Sequence, residues 1–226
     1  MARSAIIVAG GQGLRMGHEL PKQFIEVLGL PILMHTINKF DRVFGNDDQI
    51  ILVLPESHVA FWESLCAKHT FNVSHQIAFG GKTRFDSVKN GLNLCSNSGI
   101  VGIHDGVRPL ISESLIASCY DHASKNGSAL PVHAISQSLR KVDGDSSQPL
   151  DRTGVVEVQT PQCFRVDRIK TAYDTEFQAA FTDDATVFEL AGNSVSLMTG
   201  EATNLKITTP SDLKIAEAIL GMSAGS

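Results

Sequence analysis

The chain has no apolar run long enough to cross a membrane. The apolar stretch nearest its start, residues 5–9, runs directly into glycines. That stretch is too short for a transmembrane helix or for the core of a secretory signal. We therefore expect no membrane contact and no export, and a cytoplasmic location.

Cysteine is scarce, and its four positions lie far apart in the sequence: Cys66, Cys95, Cys119 and Cys163. None of them belongs to a C-x-x-C pair, the spacing typical of zinc sites and redox motifs. The spacing argues against a disulfide framework and against a zinc site. We interpret these residues as reduced, partly buried small side chains.

Positive charge is in short supply as well. Lys and Arg together number 19 against 24 Asp and Glu, which gives a formal net charge of -5. A general nucleic-acid-binding protein needs a basic surface to meet the phosphate backbone. We expect no nucleic-acid partner, although the composition leaves room for a local basic pocket.

Hydrophobic residues, at 42% of the chain, are sufficient for a substantial core, and we predict one domain over residues 1–226. Short apolar runs alternate with helical patterns along the sequence. The predicted strands are 4–9, 49–54, 73–79, 100–104, 129–132 and 195–198, and the predicted helices are 31–40, 56–68, 83–94, 112–126 and 210–220. This alternation is typical of βαβ units, so the predicted fold class is α/β with a doubly wound, mainly parallel, Rossmann-like sheet.

One segment, at about residues 133–154, breaks the alternation. It contains the sequence DGDSSQP at 143–149, a turn signal between two strand-like pieces. We predict a β-hairpin arm that projects from the sheet, with a plain surface loop as the alternative.

A glycine-rich loop with two cations follows the first predicted strand. It reads AGGQGLRM at 9–16, and PKQF follows at 21–24. Ligands of open parallel sheets bind at the carboxyl ends of the strands, where glycines let backbone N–H groups approach phosphates. Arg15 and Lys22 would add fixed positive charge for a triphosphate. The loop lacks the GK[ST] of a Walker A motif, and Met16 stands where a dinucleotide fingerprint needs glycine.

Further motifs follow in order over nearly the whole chain: GGKTRFDSV at 80–88, HDGVRP at 104–109, DR at 151–152 with QTPQ at 159–162, TDDA at 182–185 and NLKIT at 204–208. Together with the first loop, they resemble the signature of the 2-C-methyl-D-erythritol 4-phosphate cytidylyltransferase family of nucleotidyltransferases. The resemblance implies an enzyme that transfers CMP from CTP to that polyol phosphate and releases pyrophosphate, in non-mevalonate isoprenoid precursor biosynthesis.

The resemblance also assigns roles to single residues. Arg15 and Lys22 would stabilise the transition state, and Arg152 and Lys206 would position the acceptor phosphate. The residues expected to bind CTP are Ala9, Gly10, Gly11, Gly13, Gly81, Lys82, Ser87, Asp105 and Gly106. Those expected to contact the acceptor are Asp105, Arg152, Thr182 and Lys206.

The family resemblance also implies a divalent cation and a second subunit. Mg²⁺ would be held mainly by the phosphates of CTP, with Asp105 as an additional oxygen ligand. Arg152 would lie on an arm exchanged between the subunits of a homodimer and serve the partner's site. From the residues themselves, we expect Arg108 to pair with Asp105 or with another acidic neighbour, and His104 to be a hydrogen-bonded strand-end residue rather than a base.

Three alternative functions fit parts of the sequence. Ribitol 5-phosphate cytidylyltransferase shares the fold, the loop and the metal, but the DR pair at 151–152 before QTP favours methylerythritol phosphate. The presence of Arg15, Lys22, Asp105 and Lys206 argues against a non-catalytic nucleotide sensor, which would bind CTP but release no pyrophosphate. A nicotinamide-dependent oxidoreductase would need a third glycine, and an acidic residue where Leu54-Pro55 end the second strand. The chain departs from the family at Gln137-Ser138, where Asp-Thr is common, and at Leu14, where a second arginine is frequent.

Overall fold

The computed structural model describes residues 1–11 and 20–224. Its strands are β1 Arg3–Val8, β2 Glu26–Val27, β3 Leu30–Pro31, β4 Gln49–Leu54, β5 Gln76–Phe79, β6 Ile100–Asp105, β7 Ser128–Ala134, β8 Leu139–Asp143, β9 Ser146–Leu150, β10 Val156–Val158, β11 Gln162–Arg165 and β12 Leu197–Thr199. Its α-helices are α1 Ile32–Asp41, α2 Glu56–Lys68, α3 Arg84–Leu94, α4 Glu113–Asn126, α5 Val166–Ala172, α6 Asp184–Leu190 and α7 Pro210–Ala224, and a single 3-10 turn spans Lys22–Phe24. None of the helices in this described part of the chain has the length and apolar character of a membrane span.

The central sheet has eight strands in the order β5-β4-β1-β6-β11-β7-β10, with β12 paired to β7. The first four strands of this order are mutually parallel. β11 runs antiparallel to both β6 and β7, and β12 runs parallel to β7. The predicted α/β class with a mainly parallel sheet is confirmed.

Helices cover both faces of the sheet. Side chains of neighbouring strand residues point to opposite sides, so each face presents apolar side chains for helices to cover. Ile7 packs on one face with side chains of α1, α2 and α4. Ile6 packs on the other face with side chains of α3, α5 and α6. Both isoleucines are fully buried, which explains why the central strands are continuously apolar.

Side-chain caps fix where two helices begin. Thr83 accepts a hydrogen bond from the Asp86 amide, and the Asp86 carboxylate accepts one from the Thr83 amide, forming a capping box for α3. Ser112 caps α4 by accepting from the Leu115 amide at 3.0 Å, as predicted.

The differences from the sequence prediction concern short elements. β10, β11, α5 and α6 were not predicted, because each is too short to show a clear period. The prediction that β5 begins at residue 73 was wrong. His75 instead accepts a hydrogen bond from the Trp62 indole at 2.9 Å, and its other ring nitrogen lies 2.8 Å from the Val73 carbonyl oxygen. Those contacts hold the residues before Gln76 outside the ladder.

The predicted arm is a hairpin formed by β8 and β9, paired from Leu139–Leu150 to Asp143–Ser146. Gly144 occupies the turn with φ of 55°, a value that favours glycine. All residues from 140 to 158 are exposed in the single chain. The hairpin therefore projects from the sheet and takes no part in the core.

Candidate active site

A cavity of about 400 Å³ opens at the carboxyl ends of β1 and β6, the edge where open parallel sheets bind ligands. Its walls come from the loop after β1, the loop before α3, the end of β6 and the segment before α7. The predicted site residues that line it are Ala9, Gly10, Gly11, Lys22, Gly81, Lys82, Ser87, Asp105 and Lys206. Sequence motifs up to about two hundred positions apart thus converge on one space.

The first wall joins the glycines after β1 to Lys22. A side chain on Gly10 would meet no atom within 4 Å, and one on Gly11 would lie 3.9 Å from Lys22 Cε. Gln23 Nε2 donates to the Ala9 carbonyl at 2.9 Å, and Lys22 Nζ donates to the Ile207 carbonyl at 3.0 Å. The Lys22 ammonium is therefore held beside an open stretch of glycine backbone, as a phosphate site requires.

The second wall is the nucleotide loop, which we define as residues 80–83. The Gly81 amide donates to Ser87 Oγ at 3.0 Å, and that hydroxyl donates to the Thr83 carbonyl at 2.9 Å. A Cβ on Gly81 would lie 2.2 Å from the Asp86 Cβ, so only glycine fits there. Ser87 and the Thr83 capping box together give this loop a fixed shape from its own contacts.

Asp105, at the end of β6, is the anionic centre of the cavity. Its Oδ2 lies 3.1 Å from Lys206 Nζ and 3.2 Å from Arg108 Nε, and Arg108 also donates to the Asn204 carbonyl at 2.7 Å. Burial alone would raise the pKa of Asp105, but the charges of Lys206, Arg84 and Arg108 outweigh burial and hold that pKa well below its usual range. Asp105 is therefore ionised at neutral pH, and the predicted pairing with Arg108 is confirmed.

His104, the neighbour of Asp105, is fully buried. Its Nδ1 lies 3.0 Å from Thr160 Oγ1, and its Nε2 lies 3.3 Å from the Arg108 carbonyl oxygen. Burial lowers its pKa to about 4, although the charge of Asp105 acts in the opposite direction. It is a hydrogen-bonded strand-end residue, as predicted.

Gly106 and Thr182, both predicted for the site, do not line this cavity. Gly106 donates its amide to the Val8 carbonyl at 2.9 Å, and a Cβ there would approach Leu33 Cδ1 to 3.0 Å, so this glycine serves close packing. Thr182 is exposed, and its hydroxyl lies 3.1 Å from that of Thr186. Gly13 and Arg15 lie outside the described residues.

Arg152 lies on the arm, where it is exposed. Its Nη1 donates to the carbonyl oxygens of Ile135 and Gln137, both at 3.3 Å, and to that of Ser136. The structure does not bring Arg152 to the cavity of its own chain.

Two site residues were missed by sequence reasoning, although both lie inside quoted motifs. Arg84, from GGKTRFDSV, lines the cavity, and its Nη1 and Nη2 bind the two oxygens of Asp184 at 2.8 and 2.6 Å. Asp184, from TDDA, is fully buried and also accepts from the Tyr173 hydroxyl at 2.6 Å. Burial would lower the pKa of Arg84, but Asp184 raises it above its ordinary value, so the guanidinium is fully charged. The two residues lie a hundred positions apart, and neither motif carries a local signal of the pair.

A second cavity, of about 440 Å³, lies between the segment before α7 and the base of the arm. Arg108, Asn204 and Lys206 form one side of it, and His133 and Glu157 lie on the other elements that line it. Lys206 lines both cavities. Its ammonium can therefore face ligands that enter from either one.

The family model described as "IspD: 2-C-methyl-D-erythritol 4-phosphate cytidylyltransferase" matches residues 4–222. The chain belongs to this family. A relative from Bacteroides fragilis that carries the family's name is 50% identical, over 97% of this chain and 100% of its own length. A relative from Porphyromonas gingivalis with the same name is 46% identical, over 96% and 97%.

Solved structures of proteins similar to this chain agree with its membership of the family. That of 4-diphosphocytidyl-2C-methyl-D-erythritol synthase from Anaerococcus prevotii has a TM-score of 0.79 and 31% identity, over 97% of this chain and 96% of its own. That of the cytidylyltransferase from Thermus thermophilus has a TM-score of 0.77 and 30% identity, over 97% and 98%. The predicted family is confirmed, and these matches do not favour the ribitol phosphate alternative.

Proposed function

We propose that the protein transfers the cytidylyl group of CTP to 2-C-methyl-D-erythritol 4-phosphate, for isoprenoid precursor synthesis, and releases pyrophosphate. The observation that carries this proposal is the convergence of Lys22, Asp105 and Lys206 on one cavity at the sheet edge. The relatives that are 46–50% identical bear the name of this activity.

The reaction needs fixed positive charge more than it needs a base. A phosphate oxygen of the acceptor attacks the α-phosphorus of CTP in line, an O–P bond forms, and the bond from the α-phosphorus to the bridging oxygen breaks as pyrophosphate leaves. A phosphate monoester is largely a dianion near neutral pH, so no proton must be removed. The barrier comes from bringing two anions together, and preorganised cations lower it.

Lys22 and Lys206 lie at different places in the site and have different roles. Lys22, beside the glycine loop, stabilises charge that develops on the α-phosphate and on the leaving group. Lys206, fixed by Asp105 at 3.1 Å and shared by both cavities, directs the acceptor phosphate toward the α-phosphorus. Arg15 belongs to the same proposal as a second stabiliser of the transition state.

A divalent cation fits the donor set of this site. Asp105 is the one carboxylate among the described residues that line the first cavity, and both of its close cations approach a single oxygen, Oδ2. In the described ranges, no group of three or more His, Cys, Asp or Glu is arranged to hold a metal ion. Mg²⁺ commonly uses one or two carboxylates together with substrate phosphates, so Asp105 would hold the ion with the phosphates of CTP. The ion supplies neutralisation of phosphate charge.

A homodimer formed through the arm is also part of the proposal. The arm and the adjacent β10 expose five apolar side chains, with exposed fractions from 38% to 70%: Val142, Leu150, Val155, Val156 and Val158. Exposed apolar residues on a projecting hairpin are typical of a surface that a partner covers. In such a dimer, Arg152 of one subunit would serve the cavity of the other.

Cytoplasmic action completes the proposal. Cys66, Cys95, Cys119 and Cys163 are all free thiols. Free thiols are the normal state of cysteine in a reducing compartment, which is where cytoplasmic enzymes work.

Pyrophosphate release by the purified protein tests this function. The assay offers each of the four ribonucleoside triphosphates with either 2-C-methyl-D-erythritol 4-phosphate or ribitol 5-phosphate, with Mg²⁺ and with a chelator. We expect release with CTP and the methylerythritol phosphate, and its loss on chelation. Preference for ribitol 5-phosphate, or CTP binding with no release, would contradict the proposal.

A further inference from the structure

Arg84, which lines the first cavity, connects that cavity wall to Asp184, in a segment that does not itself line the cavity. Arg84 is the first residue of α3 and directly follows the nucleotide loop. Asp184 is the first residue of α6 and follows Thr182 by two positions. Their two hydrogen bonds, at 2.8 and 2.6 Å, use both terminal nitrogens of the guanidinium and both carboxylate oxygens. Such a paired contact fixes direction as well as distance.

The nucleotide loop does not depend on this pair for its shape. The Thr83 capping box and the contacts of Ser87 with Gly81 and Thr83 hold it from within α3. Loss of the Arg84–Asp184 contact would therefore leave the loop, and its contact with CTP, largely in place.

The acceptor segment, which we define as residues 182–185, has a different set of supports. Gln162 Nε2 donates to Asp183 Oδ2, and Gln162 Oε1 accepts from the Ala185 amide, both at 2.8 Å. These two bonds tie the acceptor segment to β11. The Arg84 contact adds the connection to α3 and hence to the nucleotide loop. The Arg84 side chain is 35% exposed, whereas that of Asp184 is 0% exposed, so the buried carboxylate anchors a partly open cation.

We propose that Arg84 is a positioning residue, which holds the acceptor segment in register with the nucleotide loop through Asp184. This inference rests on the proposed function and on two roles that the family resemblance implies: Gly81 and Lys82 of the nucleotide loop would contact CTP, and Thr182 of the acceptor segment would contact the acceptor. Under it, Arg84 acts through Asp184 and is needed for acceptor use more than for CTP binding.

Arg84→Lys in the full-length protein is the first test. Lysine keeps the positive charge but cannot form the paired contact. We expect the KM for the acceptor to rise roughly tenfold while the KM for CTP stays within about twofold. Calorimetric titration of CTP into the variant should give a dissociation constant close to that of the wild type.

Three further variants separate positioning from stability. Asp184→Asn should reproduce the acceptor defect. Tyr173→Phe removes a hydrogen bond to Asp184 yet leaves both bonds to Arg84, so it should lower Tm without changing the ratio of the two KM values. Adding Asp184→Glu to Arg84→Lys lengthens the carboxylate toward the shorter-reaching ammonium, and should restore part of the acceptor KM.

Other outcomes would overturn the inference. An equal rise in both KM values would make Arg84 a direct ligand of the nucleotide. A lower Tm with both KM values unchanged, or failure of both Arg84→Lys and Asp184→Asn to fold, would reduce the pair to a structural contact. Absence of pyrophosphate release from the wild type would instead refute the proposed function itself.

Discussion

The two halves of the sheet use their residues in opposite ways. The parallel half, β5-β4-β1-β6, buries β4, β1 and β6 and presents Lys22 and Asp105 at one edge through contacts within the chain. The other half carries the arm, whose residues 140–158 are all exposed and whose Arg152 binds only arm carbonyls among the contacts described. The first half is closed by contacts within a single chain, whereas the arm is covered by no other part of the described chain.

This contrast teaches where a single chain suffices for the chemistry. Phosphate sites need backbone and cations held rigidly, and a core buried on both faces supplies that rigidity. An arm with no core of its own gains order from whatever it packs against. We therefore expect each subunit to bind the nucleotide alone, and acceptor positioning to need Arg152 from the second subunit of the proposed dimer in addition to Lys206.

The largest expected effect comes from the parallel half. Lys22→Ala should reduce kcat by on the order of 10²–10³, because a preorganised cation is lost where transition-state charge develops. Steady-state pyrophosphate release measures the effect, and circular dichroism checks the fold. Lys125→Ala, an exposed lysine near the end of α4, is the matched control and should keep full activity. Near-normal turnover of Lys22→Ala would remove this residue from the mechanism.

A smaller effect is expected from the arm. Arg152→Ala should raise the KM for the acceptor by about 10–10², because a charge-assisted phosphate contact is lost, while CTP binding is unchanged. Arg140→Ala is the control, since Arg140 is an exposed arginine of the same hairpin whose contacts go to Ser147.

Mixing two variants tests whether the arm serves the partner's site. When Lys22→Ala and Arg152→Ala subunits are exchanged, one site of each mixed dimer has both wild-type residues. With the acceptor held well below the KM of Arg152→Ala, activity should then return to roughly a quarter of the wild-type level, given random pairing in a two-fold dimer. If mixing restores no activity although the dimers exchange, Arg152 acts within its own chain. The proposed difference between the two halves of the sheet would then be wrong.

The smallest effect concerns how the stability of the fold depends on pH. It arises from His104 on β6, the strand where the two halves of the sheet meet. The folded-state pKa of His104 is about 4, below its ordinary value of 6.5, so the unfolded chain takes up the proton first as pH falls. As pH falls from about 7 to about 5, His104 should therefore lower the free energy of unfolding by about 2 kcal/mol. Urea unfolding at both pH values measures this loss.

Matched histidine variants identify the source of that pH dependence. His104→Gln should flatten it, whereas His133→Gln, at a half-buried histidine of β7, should leave it in place. An equal slope in wild type and His104→Gln would show that another group dominates acid sensitivity.

Long elements and local caps could be predicted from the sequence. β4 and α2 were predicted with the bounds that the structure shows, because long apolar periods leave little ambiguity. Ser112 was recognised as a cap from its position before a helical pattern. Short elements such as β11 and α6 could not be predicted, because neighbouring strands and helices stabilise them rather than their own sequence period.

The candidate site was predictable where motif and strand end coincide. The glycine loop, Lys22, Asp105 and Lys206 were expected to meet, and they line one cavity. The prediction that Gly106 contacts the nucleotide finds no support in the cavity wall, since that glycine packs against Leu33. The importance of Arg84 depends on a partner a hundred positions away, and nothing local to either residue indicates the pairing.

By itself, the sequence determined the α/β alternation, the glycine-rich loop motif and the family, because periodicity and motif chemistry are local properties of a chain. Only the tertiary structure decided that Arg84 pairs with Asp184, that His104 is neutral, and that Arg152 lies away from its own cavity. Pairing, burial and pKa depend on which distant residues the sheet brings together, and a linear pattern does not encode those distances.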